Sequence, residues 1–249
     1  MSLTLTIILL LTLVVFITHA LEAITGFGCT VLAFPFMIAI TGDIGYSKIV
    51  LSILAWALAL YFVVTKFRHI HWRQFLIIFV MAAVGVPIGL WIFDQGEADI
   101  LRKAFGLFIV LTAGVQLYRL VKPKKREGAG EKFNPVSYAY LFLGGIVHGA
   151  FATGGPLIVL YSAKKITDKG QFRTTMCLLW ALLNTLLIVQ YLRKGALTDD
   201  IGVSLLWLLP ALVVGIVAGE YIHNKVNELL FRKLVFAMLF AVGLVMIIM

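Results

Sequence analysis

The chain has 249 residues, of which 61% are hydrophobic and 13% charged, and its mean hydropathy is +1.02. A soluble domain carries roughly a quarter charged residues, so the composition excludes one and predicts an all-α polytopic membrane protein. The net charge of +9 does not make nucleic acid a partner, because the Lys and Arg residues stand in short segments between apolar runs, as the positive-inside rule expects.

The opening Met-Ser-Leu-Thr-Leu-Thr has neither a basic n-region nor a small-residue cleavage site, and is read as a retained segment. Residues 5–21 are apolar and just long enough to span. His19 and Glu22 follow, and then the run is broken at Thr25-Gly26-Phe27-Gly28. Residues 29–40, which contain Pro35, would reach only about 18 Å as a helix, short of a hydrocarbon core of roughly 30 Å. This first unit therefore reads as a hairpin with one short arm. Spans are expected at 49–65, 75–93 and 104–118. A basic loop holding Lys66, Arg68 and Arg73 separates the first two, and an acidic loop with Asp94, Glu97 and Asp99 follows the second.

The polar stretch after Arg119, with Lys122, Lys124, Lys125, Arg126 and Lys132, is the natural linker. It divides the chain into a first transmembrane repeat (1–121), a basic linker (122–135) and a second repeat (136–249). The second half opens with residues 136–149. A break follows at 150–156 (Ala-Phe-Ala-Thr-Gly-Gly-Pro), and residues 157–163 complete a hairpin whose arms are both too short to cross. After a basic loop with Lys164, Lys165, Lys169 and Arg173, spans are expected at 174–192, 201–222 and 234–249.

Self-similarity at half-chain period supports a duplication: Gly85-x-x-x-Gly89 recurs as Gly215-x-x-x-Gly219, and Trp56-Ala57-Leu58 as Trp180-Ala181-Leu182. The charge pattern predicts cytoplasmic loops at Lys66, Arg119, Lys164 and Lys225, with the acidic loops at Asp94 and Asp199 outside. Each half then has three crossings plus a hairpin. That odd number makes the repeats inverted and leaves both termini outside.

Glycine and proline free backbone N–H and C=O groups that hydrocarbon cannot satisfy. Such breaks survive at membrane depth only inside protein or beside a water-filled cavity, and a matched pair is the strongest sequence pointer to a transporter's binding site. The candidate substrate-binding residues are thus Thr25, Gly26, Phe27, Gly28, Thr153, Gly154, Gly155 and Pro156. Helix N-termini after the breaks would present N–H groups to an anion, and Thr25 and Thr153 are read as hydroxyl donors at matching positions. No Lys or Arg falls inside the predicted central spans. Asn184, near a span centre, is a further candidate substrate contact, with an interhelical hydrogen bond as the alternative. His19 and Glu22, three residues apart on one helix face, and His148, just before the second break, are candidates for proton coupling. The glycine pairs read as helix-packing motifs, Pro87 and Pro210 as kinks, and Trp72, Trp91 and Trp207 as interfacial residues. Cys29 and Cys177 show no metal-site or disulfide spacing. No catalytic motif is present, so no enzyme, cofactor or metal is expected.

The Gly26-Phe27-Gly28…Pro35 segment and the Thr153-Gly154-Gly155-Pro156 segment, set in a duplicated chain with a basic middle loop, resemble the TauE/SafE family of sulfite and sulfonate exporters. Phe27 and Cys29 depart from the family pattern, standing where members often carry further glycines. The resemblance implies outward movement of sulfite or a short C2 organosulfonate across the bacterial inner membrane. The residues by themselves give only an anion site between two hairpin tips. A carboxylate transporter and a non-transporting membrane scaffold are the alternatives. The partners expected are a small anion and the lipid bilayer. Homodimerisation is compatible with inverted repeats, although no motif fixes it.

Overall fold

The computed structural model describes residues 5–121, 136–222 and 228–248. The predicted linker 122–135 and the loop at Lys225 lie outside the described residues. In the first half the chain forms α1 (Leu5–Thr25), α2 (Cys29–Thr41), α3 (Ile44–Lys66), a 3₁₀ turn (Phe67–His69), α4 (Trp72–Gln95) and α5 (Ala98–Val121). The second half repeats the order with α6 (Val136–Phe151), α7 (Gly155–Lys165), α8 (Lys169–Arg193), α9 (Asp199–Ile222) and α10 (Glu228–Ile248). Among the described residues six helices are long and apolar enough to cross a membrane: α1, α3, α4, α5, α8 and α9. The short arms remain short, with 13 residues in α2 and 11 in α7. The protein is an all-α polytopic membrane protein.

Local chemistry sets the helix starts. Asp43 caps α3, its carboxylate accepting the Tyr46 N–H at 2.9 Å, and Asp168 caps α8 by accepting the Gln171 N–H at 2.7 Å. These caps begin both helices five residues before the expected spans at 49 and 174. Lys48 and Arg173, just outside the expected spans, are therefore helical residues near the starts of α3 and α8. Between α2 and α3, Gly42 closes the helix in the left-handed region at φ 71°, its N–H bonded to the Ile38 carbonyl at 2.7 Å.

Helix α4 packs on α6, α1 on α9, α3 on α8 and α5 on α10. Exchanging the two halves turns this set of pairs into itself. The α3/α8 pair runs antiparallel. Ser52 Oγ lies 3.2 Å from Tyr191 Oη, Trp56 Nε1 donates to Thr185 Oγ1 at 2.9 Å, and the Arg173 guanidinium lies 4.7 Å from the centre of the Phe62 ring.

Small residues let backbones approach. A Cβ at Gly145 would run into the Ala82 carbonyl, and one at Gly89 into the Ile146 carbonyl, so α4 and α6 meet backbone to backbone. At the equivalent α9/α1 contact a Cβ at Gly219 would lie 2.6 Å from the Ala20 carbonyl oxygen. The glycine pairs are packing motifs, as expected.

Polarity is distributed as a bilayer demands. Leu9, Val64, Val84, Leu107, Leu206 and Val217 face outward, and Trp72, Trp91 and Trp207 are exposed as well. His19, Glu22, Lys48, His148, Thr153 and Asn184 are buried among the helices. Ionisable groups turned into the bundle mark the functional interior of such a protein.

Candidate functional site

The two broken segments are built alike. Helix α1 ends where the Gly26 N–H bonds the Glu22 carbonyl at 2.7 Å, and α6 ends where the Ala152 N–H bonds the His148 carbonyl at 2.7 Å. Both terminating residues are left-handed, Gly26 at φ 84° and Ala152 at φ 56°. The next helix is then capped by glycine, Gly28 before α2 and Gly154 before α7. The same 126-residue spacing separates Gly26 from Ala152, Gly28 from Gly154 and Cys29 from Gly155. In this register Thr153 matches Phe27, and Thr25 matches Phe151. The expectation that the two threonines are equivalent is thereby corrected.

The breaks meet at one cavity in the middle of the bundle. From the first half it is lined by Glu22, Gly28, Thr30, Val31 and Ala55. From the second half come His148, Ala152, Thr153, Gly154 and Gly155, with Trp180 and Asn184 from α8. Of the expected substrate residues, Gly28, Thr153, Gly154, Gly155 and Asn184 converge here. So do Glu22 and His148 of the expected proton-coupling residues.

The others lie elsewhere. The Thr25 hydroxyl is held by its own backbone, 2.9 Å from the Leu21 carbonyl and 2.8 Å from that of Phe27. Thr25, Phe27 and Pro156 line a separate apolar cavity with Leu21, Leu32 and Phe236. Gly26 contributes its carbonyl, which accepts the Trp180 indole N–H at 3.0 Å. His19 is buried on α1, its Nδ1 2.9 Å from the Val15 carbonyl, and it does not line the central cavity.

The N-termini of α2 and α7 differ. Each helix start leaves N–H groups without an intrahelical partner. On α2 the Cys29 N–H is taken at 2.7 Å by the Glu22 carboxylate. On α7 the His148 ring instead faces the cap residue, one step earlier, and the contact is long, the Gly154 N–H lying 3.5 Å from His148 Nδ1. Acceptance at Nδ1 places the proton of the neutral ring on Nε2. Among the described residues, that Nε2, Thr153 Oγ1 and Asn184 Oδ1 are buried with no hydrogen bond of normal geometry, and the Asn184 side chain lies beside the His148 ring. All three residues line the central cavity. Buried polar atoms are normally satisfied, so three such atoms around one space leave hydrogen-bonding capacity unused there. The His148 N–H and the Thr153 O–H are donors. The Asn184 amide presents a donor or an acceptor according to which way it is turned.

Trp180 joins the halves across this site. Its indole stacks on the His148 ring at 5.7 Å and 21°, while its N–H reaches Gly26 of the first half. Sequence reasoning did not select Trp180, although the recurring Trp-Ala-Leu at 56 and 180 was the available signal. Thr30, one step past the first break, was also missed. Cys29 and Cys177 are buried free thiols.

The family model described as sulfite exporter TauE/SafE matches residues 11–246. The chain is 25% identical over 187 residues to the probable inner membrane transporter protein TsaS of Comamonas testosteroni, a match covering 72% of this chain and 73% of that protein. No solved structure matches. A family match running through both hairpins and nearly every described helix means that the chain belongs to the TauE/SafE sulfite exporter family.

Proposed function

We propose that this protein is a secondary transporter that moves a small sulfur oxyanion, sulfite or a short C2 organosulfonate, across the bacterial inner membrane. The convergence of polar atoms from Thr153, His148 and Asn184, their hydrogen-bonding capacity unused, on the cavity between the hairpin tips carries the reading. The membrane assignment draws on the apolar helices and on the similarity to the probable inner membrane transporter of Comamonas testosteroni.

The substrate's oxygens accept from Thr153 Oγ1, from His148 Nε2 and from the free N–H groups of the first turn of α7. The α7 dipole adds a partial positive charge, which favours the anion there. The site is thus weighted toward the second half, because Glu22 already occupies the start of α2. Glu22 beside an anion is repulsive while it is ionised. Protonation removes the repulsion, so the carboxyl couples proton binding to anion binding, with His148 as the equivalent group of the other half. The exchange symmetry of the helix pairs and the antiparallel α3/α8 contact support inverted repeats. Alternating access then follows from rocking one repeat against the other. In this topology both termini and the Asp94 and Asp199 loops lie outside, and the loops at Lys66 and Lys164 are cytoplasmic.

Thermal unfolding of the purified protein with sulfite, sulfate, C2 sulfonates, acetate and phosphate tests the reading. A ligand that binds only the folded state stabilises it by about 2.7 kcal/mol at a hundred times its dissociation constant. A selective shift with sulfite or a sulfonate that is lost in Thr153→Val supports the site. A shift confined to acetate names a carboxylate transporter instead. Absence of any shift, together with absence of flux in proteoliposomes, overturns the proposal in favour of a scaffold.

A further inference from the structure

Lys48 and Arg173 sit at one position of the two halves. The helix caps Asp43 and Asp168 are 125 residues apart, and so are Lys48 and Arg173, each the fifth residue after its cap. Because α3 and α8 are antiparallel, the two cations stand at opposite ends of the pair. Each is seven residues from a residue that lines the central cavity, Lys48 from Ala55 and Arg173 from Trp180. At the helical rise this is about 10 Å along the axis on either side of the site.

Among the described residues neither cation makes a direct ion pair with a carboxylate, although Lys48 lies in the field of Asp94. The Lys48 side chain is 1% exposed. Its ammonium lies 3.7 Å from the centre of the Phe93 ring and 6.0 Å from that of Tyr191. The nearby Asp94 is engaged by Lys194. Arg173 donates from Nη1 to the Ala23 carbonyl at 3.0 Å and covers Phe62, while its Nε is buried without a partner. Ring faces offset only part of the cost of burying a cation. The central cavity, in contrast, has no Lys or Arg in its lining and does have Glu22. An anion approaching it from either face needs positive charge on the way.

We propose that Lys48 and Arg173 are two flanking anion-binding stations, one on each route into the central cavity. Each receives the oxyanion between its own face of the membrane and the hairpin tips. Lys48 serves the face of the Asp94 loop, and Arg173 serves the face of the Lys164 loop. The inference rests on the anion-transport reading above and adds to it the residues that admit the substrate from each side.

Two measurements test it. The first is sulfite exchange by the full-length protein in oriented proteoliposomes, with sulfite varied on one face at a time. Lys48→Gln should raise the half-saturating sulfite concentration at least tenfold on the Asp94-loop face and leave the opposite face within twofold. Arg173→Gln should do the reverse, and Lys48→Arg and Arg173→Lys should restore most of each loss. Equal effects on both faces, or none on either, overturn the proposal. The second measurement needs no substrate: Lys48→Cys and Arg173→Cys, each in a Cys29→Ala, Cys177→Ala background, are treated with a membrane-impermeant anionic thiol reagent. Labelling of the two positions from opposite faces supports the stations. Failure of both to react from either face overturns them, even if the variants fold poorly in flux assays. Opposite-face labelling in a protein that neither binds nor moves sulfite overturns the sulfur-oxyanion reading alone.

Discussion

Glu22 and His148 occupy the same step of the two halves, but their side chains reach N–H groups one residue apart, Cys29 at the first residue of α2 and Gly154 at the cap of α7. Each offers its carbonyl to the residue that ends its helix, at 2.7 Å in both cases, and turns its side chain toward an N–H at the start of the next helix. Glu22 closes on the Cys29 N–H at 2.7 Å, whereas His148 Nδ1 stands 3.5 Å from the Gly154 N–H. A carboxylate at a helix N-terminus is a strong, charge-assisted cap, and a neutral imidazole at the longer distance is a weak one. The start of α2 is thus capped internally by a side chain, and the start of α7 is held only weakly.

Glu22 should tolerate an amide better than a hydrocarbon. Glu22→Gln keeps an oxygen to accept the Cys29 N–H, so its unfolding temperature should stay near that of the unaltered protein. Glu22→Leu leaves a buried donor unsatisfied and should cost about 1–3 kcal/mol. With no titrating carboxyl, Glu22→Gln should also flatten the pH dependence of sulfite flux. An unchanged pH profile in proteoliposomes would remove Glu22 from proton coupling.

The two threonines of the breaks should behave differently. Thr153 Oγ1 faces the cavity without a partner, whereas the Thr25 hydroxyl is bound to its own backbone. Thr153→Val should weaken sulfite binding about tenfold or more, equivalent to about 1.4 kcal/mol. Thr25→Val should leave affinity within twofold. Binding titrations on the purified variants decide between them.

Alanine at the two left-handed glycines of the first break should separate strain from crowding. Gly26 and Gly28 have φ of 84° and 109°, a region that costs a residue with Cβ about 1–2 kcal/mol. A Cβ at Gly26 would also lie 2.7 Å from Arg173 Cα, while one at Gly28 meets nothing within 4 Å. Gly26→Ala should therefore lower the unfolding temperature clearly more than Gly28→Ala. The reverse order would contradict the close approach of α8 to the break.

The two interhelical seams should rank by how closely their backbones meet. A Cβ at Gly145 would overlap the Ala82 carbonyl, while one at Gly215 would stand 2.9 Å from the Phe16 carbonyl oxygen. Gly145→Ala should reduce the yield of folded protein strongly, and Gly215→Ala should cost roughly 1 kcal/mol, within the usual range for a single substitution. Size-exclusion profiles and thermal unfolding of the two variants check the ranking.

Composition, apolar run length and the two glycine breaks determined the membrane class, the duplicated helix order and the short second arms. Those properties depend on local hydropathy and backbone chemistry, which are written residue by residue. The breaks also pointed to Thr153, Gly154, Gly155 and Gly28, and the span-centre position to Asn184, and all five line the central cavity. Tertiary structure decided the rest. Thr25 and Thr153 look alike in sequence, but only the shared helix-ending hydrogen bonds set the register that pairs Thr153 with Phe27. His19 and Glu22 share a helix face, yet only Glu22 reaches the cavity, because the rotation of α1 against α9 and α2 chooses which side of that face looks inward. Lys48 and Arg173 read as loop residues at the edges of apolar runs. The Asp43 and Asp168 caps draw them into α3 and α8, and the antiparallel packing of those helices sets the two charges at opposite ends of one site.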